Sequence, residues 1–162
     1  MTHESAVRII SKEGPLYNPA DRDHCLQYMS AIGLIFGRLE ASDYEDDIAA
    51  DPRIDALRAK MLVQEHPDYS ADYLDPDKRS IANAMQVFFK DGTFTEQVCI
   101  HYPLGHRRRR EEGTPVLMAK FEQALNTTFD QEQVSRILNV CTDEQALAAL
   151  PVVDFMSLFQ KP

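Results

Sequence analysis

The chain has 162 residues, 44% of them apolar and 27% charged, which is the composition of one globular domain long enough to enclose a core. Its formal charge of −9 argues against a general nucleic-acid binder, no apolar run approaches the ~18 residues that span a bilayer, and the first ten residues lack the basic start and apolar stretch of a secretory signal. Cys25, Cys99 and Cys141 are odd in number, widely spaced and free of any CxxC pair, so the expected compartment is reducing, the cytoplasm, with no disulfide framework and no zinc site.

In chain order, SAVRII (5–10) is a short β-branched run and is expected to be a strand. Gly14, Pro15 and Pro19 break the chain into a loop over 12–20. Residues 22–37 read as a helix, with Asp21 as N-cap and Gly37 at the C-cap. Between His24 and Arg38 this helix carries no charge, so burial on every side is expected. Residues 42–61 read as an acidic turn and then a helix opened by Asp51 and Pro52, with Ile54, Leu57 and Met61 on its inner face. MLVQEH (61–66) is expected to be a strand and PDYSADYLDPDKR (67–79) a polar loop. Two extended runs within 80–102 join at Lys90-Asp91-Gly92, a strong hairpin signal. After Pro103 the pattern is all helical. Thr114-Pro115 opens a helix to about Leu125, Asp130 caps another, Thr142 with Gln145 resembles a capping box, and Pro151 opens the last. The fold class is therefore α+β, a short antiparallel sheet with helices followed by a helical tail.

The candidate chemistry is sparse. GHRRRREEG (105–113) offers four consecutive arginines that could pair with phosphate or a polycarboxylate, but Glu111 and Glu112 balance it and a solvated boundary loop explains it as well. His24, His101 and His106 have no ligand spacing, and no GxSxG, Walker loop or GxGxxG occurs. Cys25 beside His24 reads as a small buried residue, since neighbours on a helix point about 100° apart. Tyr28 lies four residues beyond His24, and Gln27 three, so one helical face would gather a phenol, an imidazole and an amide. Two readings stay open: a satisfied interior network, or an acid–base group facing a pocket.

"GPLYNPADRDHCLQYMSAIGLIFGRLEASDYED" with "DPRIDALRAKM", "YPLGHRRRREEG" and the terminal "PVVDFM" closely resembles the MmgE/PrpD family over essentially the whole chain. The order NPADRDHC-x-QYM, then YP-x-GH-x-RR, is specific. The resemblance implies only the later part of a longer protein: residues 1–104 as the second portion of an α+β lid domain, and residues 105–162 as helices returning to a large helical domain. It implies a hydro-lyase that dehydrates 2-methylcitrate to 2-methyl-cis-aconitate in propionate breakdown, with no cofactor and no iron–sulfur cluster, acting on a tricarboxylate. A homo-oligomer is expected because the apolar residues of the 22–37 helix and of the tail helices would otherwise leave large exposed patches. Related cis-aconitate decarboxylases place a tyrosine of the corresponding helix in the active site. Tyr28 is by that likeness the expected catalytic residue, with His24 and Gln27 near the substrate. The family's other histidines and lysines are expected upstream, so this chain alone is expected to be inactive. The alternatives are a lyase of the same family acting on another tricarboxylate, and a non-catalytic lid or interaction module.

Overall fold

A computed structural model of the chain describes residues 1–160, which divide into two compact units, Met1–Pro103 and the described residues from Leu104 onward. The fold is α+β and mainly helical, with one two-stranded antiparallel sheet.

The first unit opens on extended backbone at Thr2, which bridges both Glu65 and Asn83. Where a strand was expected over 5–10 stands helix α1, Glu4–Ile9. His3 Nδ1 accepts from the Ala6 N–H, and Glu4 and Arg8 pair one turn apart at 3.6 Å, so capping and charge outweigh the β-branched residues. The loop after α1 ends at Asn18, whose side chain caps the one-turn helix α2, Pro19–Arg22.

The helix expected over 22–37 is broken in two. The chain leaves α2, extends at Cys25 to bridge Ser11, and starts again as α3, Leu26–Phe36. Asp21 therefore caps nothing in α3; its carboxylate takes the Tyr17 N–H and pairs with Lys12. Gly37 ends α3 in the left-handed region at φ 69°. Nor is the helix buried on every side. Tyr28, Ala31 and Ile32 face the core, while Leu34 on the opposite side is 53% exposed.

A 3-10 turn (Ala41–Tyr44), the short helix α4 (Asp46–Ala49) and α5 (Pro52–Arg58) follow. Asp51 caps α5 and Pro52 holds its first position, as expected. Ile54 is buried with Tyr28 and Ile32, and Leu57 and Met61 pack against them, which fixes α5 across α3.

Residues 61–66 form no strand; only Glu65 makes a bridge, to Thr2. The expected loop at 67–79 begins instead as helix α6, Pro67–Leu74, because Pro67 suits the first helical position and Tyr69 buries against Ala82 and Ala84. The hairpin is present. Strands β1 (Asn83–Met85) and β2 (Val98–Ile100) pair antiparallel, Phe88 faces Phe94 further out, and Gly92 turns the chain at φ 88°.

In the second unit a 3-10 turn of Arg107–Arg109 leads into α7, Arg110–Asn126. This helix starts four residues earlier than expected, so Pro115 lies inside it, where it removes one backbone donor. Gly113 permits the early start, since a Cβ there would come within 2.5 Å of the Leu104 carbonyl oxygen. Asp130 caps α8, Gln131–Thr142, as expected. The capping box at Thr142 does not form. Thr142 ends α8 with its hydroxyl donating to the Leu138 carbonyl at 2.8 Å, and Asp143 caps α9, Glu144–Ala149. Helix α10, Val152–Ser157, follows Pro151. Leu125, Val134 and Ile137 form this unit's core with Phe121, Phe129 and Phe159 around them.

Candidate functional site

The first unit contains a cleft of about 330 Å³ bordered by the 15–17 loop, α2, α3, α4 and α5. Tyr28 enters it from α3, Arg22 from the end of α2, and Arg58 from the end of α5. The bridge between Ser11 and Cys25 and the packing of Ile54 on Tyr28 and Ile32 hold these helices together. The sequence thus folds so that two guanidinium groups 36 positions apart meet one phenol.

Tyr28 is 2% exposed, and its hydroxyl donates to the Asp43 carbonyl oxygen at 2.6 Å. Its ring lies alongside that of Tyr44, with centroids 6.1 Å apart. Burial raises the Tyr28 pKa above the usual phenol value; the positive fields of Arg22 and Arg58 work against that, and Asp43 and Tyr44 add to it. The phenol therefore stays protonated at neutral pH, as a proton donor must.

Arg22 donates through Nη1 to the Tyr44 carbonyl at 2.6 Å and through Nη2 to Asp46 at 2.7 Å. Arg58 donates through Nη2 to the Gly14 carbonyl at 2.9 Å and pairs with Asp55 through Nη1. Both guanidinium groups are mostly buried, and both aspartates are exposed. The carboxylate of Asp43 is buried under the phenol's acceptor, paired with Arg38 at 2.9 Å and bonded to the Glu40 N–H at 2.8 Å. The arrangement places a donor hydroxyl and two guanidinium groups along one cleft, each guanidinium paired there with an aspartate.

The structure separates the residues grouped on sequence. Because α3 begins at Leu26, His24 lies outside it, and the one-turn spacing to Tyr28 does not put the two on a common face. His24 is exposed, pairs with Asp23, and does not border the cleft. The Asp23 carboxylate raises the His24 pKa. Gln27 is buried beside Tyr28, and its Oε1 accepts from the Cys25 thiol at 3.5 Å. His101 belongs to a different cluster, with its Nε2 3.5 Å from Cys99 Sγ, which in turn is 3.0 Å from the Tyr69 hydroxyl. Among the described residues no group of three His, Cys, Asp or Glu side chains could hold a metal ion, and no helix is long and apolar enough to cross a membrane. Arg22 and Arg58 were missed on sequence. The signal for Arg58 was its spacing: it stands four residues after Ile54, on the face of α5 turned inward.

Comparison with known proteins places these residues in context. The profile of the MmgE/PrpD C-terminal domain matches residues 1–144. A protein of Escherichia coli (strain K12) named 2-methylcitrate dehydratase is 54% identical over 158 residues, covering 98% of this chain and 33% of its own length. Its namesake in Cupriavidus necator gives the same identity and coverage. A relative from Yarrowia lipolytica, named 2-methylcitrate dehydratase, mitochondrial, is 51% identical over 160 residues, 99% of this chain and 30% of its own. The chain thus spans about a third of the length of these relatives.

Proposed function

The chain belongs to the MmgE/PrpD family, and from that premise we propose that it is the C-terminal part of a hydro-lyase converting 2-methylcitrate to 2-methyl-cis-aconitate in propionate breakdown. The observation that carries the proposal is the identity of 54% to proteins of that name across 98% of the chain. The cleft supports it, since a buried phenol and two guanidinium groups line it together.

The reaction removes a proton from C2 and a hydroxyl from C3, and the C2–H electron pair becomes the C2=C3 double bond. A base supplied outside the described cleft takes the proton. Tyr28 turns its O–H from the Asp43 carbonyl toward the departing hydroxyl, protonates it, and water leaves. Arg22 and Arg58 offset the charge of the substrate's carboxylates and of the phenolate that forms. Gln27 is buried next to Tyr28 in sequence and does not border the cleft.

The test is turnover by the whole protein, of which this chain is the C-terminal part, on 2-methylcitrate, citrate and cis-aconitate, followed by the ultraviolet absorbance of the conjugated double bond. A clear preference for 2-methylcitrate is expected; preference for another tricarboxylate moves the enzyme elsewhere within its family. Tyr28→Phe in the same protein should lower kcat on the order of 10²-fold. A variant within about twofold of the parent removes Tyr28 from the chemistry.

A further inference from the structure

The two arginines of the cleft are each held in a divided way. Arg22 is anchored by the Tyr44 carbonyl and Arg58 by the Gly14 carbonyl, both backbone groups. Their second partners are aspartates that stand almost wholly in solvent: the side chain of Asp46 is 85% exposed and that of Asp55 75%, against 7% for Arg22 and 14% for Arg58. The cations are therefore fixed and desolvated, and the anions that neutralise them are free to rotate into water. The aspartates remain solvated, but each arginine is buried and would be left uncompensated without an anion, so an aspartate leaves readily only when another carboxylate takes its place. In addition, Arg58 Nε is buried and has no hydrogen-bond partner among the described residues. A buried N–H without an acceptor is the exception in folded proteins and calls for an explanation. The cleft is large enough for a small acid, since small-molecule sites run from roughly 300 to 1,000 Å³.

We infer that the cleft is a carboxylate-exchange site: two carboxylates of a tricarboxylate displace Asp46 and Asp55, one taken by Arg22 and the other by Arg58, and the substrate is thereby set above Tyr28. Asp46 and Asp55 hold the arginines in place while the cleft is empty and compete with the ligand when it arrives. The carbonyl anchors of Tyr44 and Gly14 stay bonded throughout, so the guanidinium groups need not move far. A planar guanidinium suits this exchange because it can offer two parallel donors to the incoming carboxylate. The identity of the anion rests on the dehydratase reading; the exchange itself rests on the exposure and bonding of these four side chains.

The test uses the 162-residue chain and tricarballylate (propane-1,2,3-tricarboxylate), which has three carboxylates and no hydroxyl to lose. Binding is measured by calorimetry at fixed ionic strength for the parent, D46N, D55N and R58Q. Each Asp→Asn change removes a competing anion and leaves a buried arginine unpaired, so it should tighten binding by at least roughly two- to fivefold, the worth of an exposed ion pair. R58Q should weaken it by about tenfold or more. If R58Q does not fold, as judged by its thermal unfolding, D46N and D55N decide the matter alone. No binding to the parent chain, or Asp→Asn variants that bind no more tightly than the parent, overturns the inference. The dehydratase reading fails separately, by a whole protein that leaves 2-methylcitrate untouched while tricarballylate still binds here. Turnover of 2-methylcitrate with no effect of D46N or D55N on affinity sinks the exchange site alone.

Discussion

Asp43 ties the candidate site to the stability of the unit around it. It is fully buried; its carboxylate binds Arg38 and the Glu40 N–H, and its carbonyl receives the Tyr28 hydroxyl. The hydrogen bond from Arg38 holds the Asp43 carboxyl below the usual carboxylate range. A carboxyl whose pKa is lower in the folded chain contributes stability that is present above its unfolded value, near 3.8, and is lost as the pH falls through the folded value. Asp43→Asn should therefore destabilise the chain by ~1–3 kcal/mol at pH 7, with the gap to the parent closing below about pH 4. Urea unfolding at several pH values measures it, and a gap that does not change with pH contradicts the assignment. Tyr28 has the opposite sign. Burial raises its pKa, so its proton is retained through neutral pH and its contribution to stability is lost only as the pH rises above the ordinary phenol value of about 10. In the whole enzyme, an alkaline limb near pH 8 that disappears in Tyr28→Phe would contradict a phenol protonated by burial.

At the level of elements, the signals that proved legible are those in which one residue fulfils a backbone need. Gly37 was readable as the end of α3 because a left-handed residue was needed there, and φ is 69°. Gly37→Ala should cost ~1–2 kcal/mol, and Gly37→Asn less, since asparagine enters that region more easily; a urea series that ranks alanine above asparagine would refute the cap. Asp51-Pro52, Asp91-Gly92 and Asp130 were legible for the same local reason. The misreadings share a cause as well. SAVRII carries strand-prone residues, yet His3, outside the usual set of capping residues, starts a helix there. Pro67 looked like a loop breaker and is the first residue of α6, whose formation depends on burying Tyr69 against residues 13 and more positions away. The break between α2 and α3 depends on the bridge from Cys25 to Ser11, which local spacing does not announce. That break also separated His24 from Tyr28, so the spacing that grouped them does not describe the structure, and Arg58 came into view by the structure alone.

For the whole molecule the decisive question is what the cleft lacks. Among its described lining residues are one buried phenol, two guanidinium groups and two aspartates bound to them, with His24 facing solvent elsewhere. Loss of water needs an acid and a base acting on opposite ends of the bond being formed. The phenol can serve as the acid. Asp46 and Asp55 are each engaged by an arginine. The chain also covers only about a third of the length of its dehydratase relatives, which leaves room in those proteins for a base and for the closure that excludes water. The 162-residue chain should therefore bind a tricarboxylate and yet show no measurable turnover of 2-methylcitrate. Calorimetry and an absorbance assay on one preparation, free of host dehydratase, test both halves. Turnover by the chain alone would mean that Asp46 or Asp55 is released to act as the base, and its loss in the matching Asp→Asn variant would identify which.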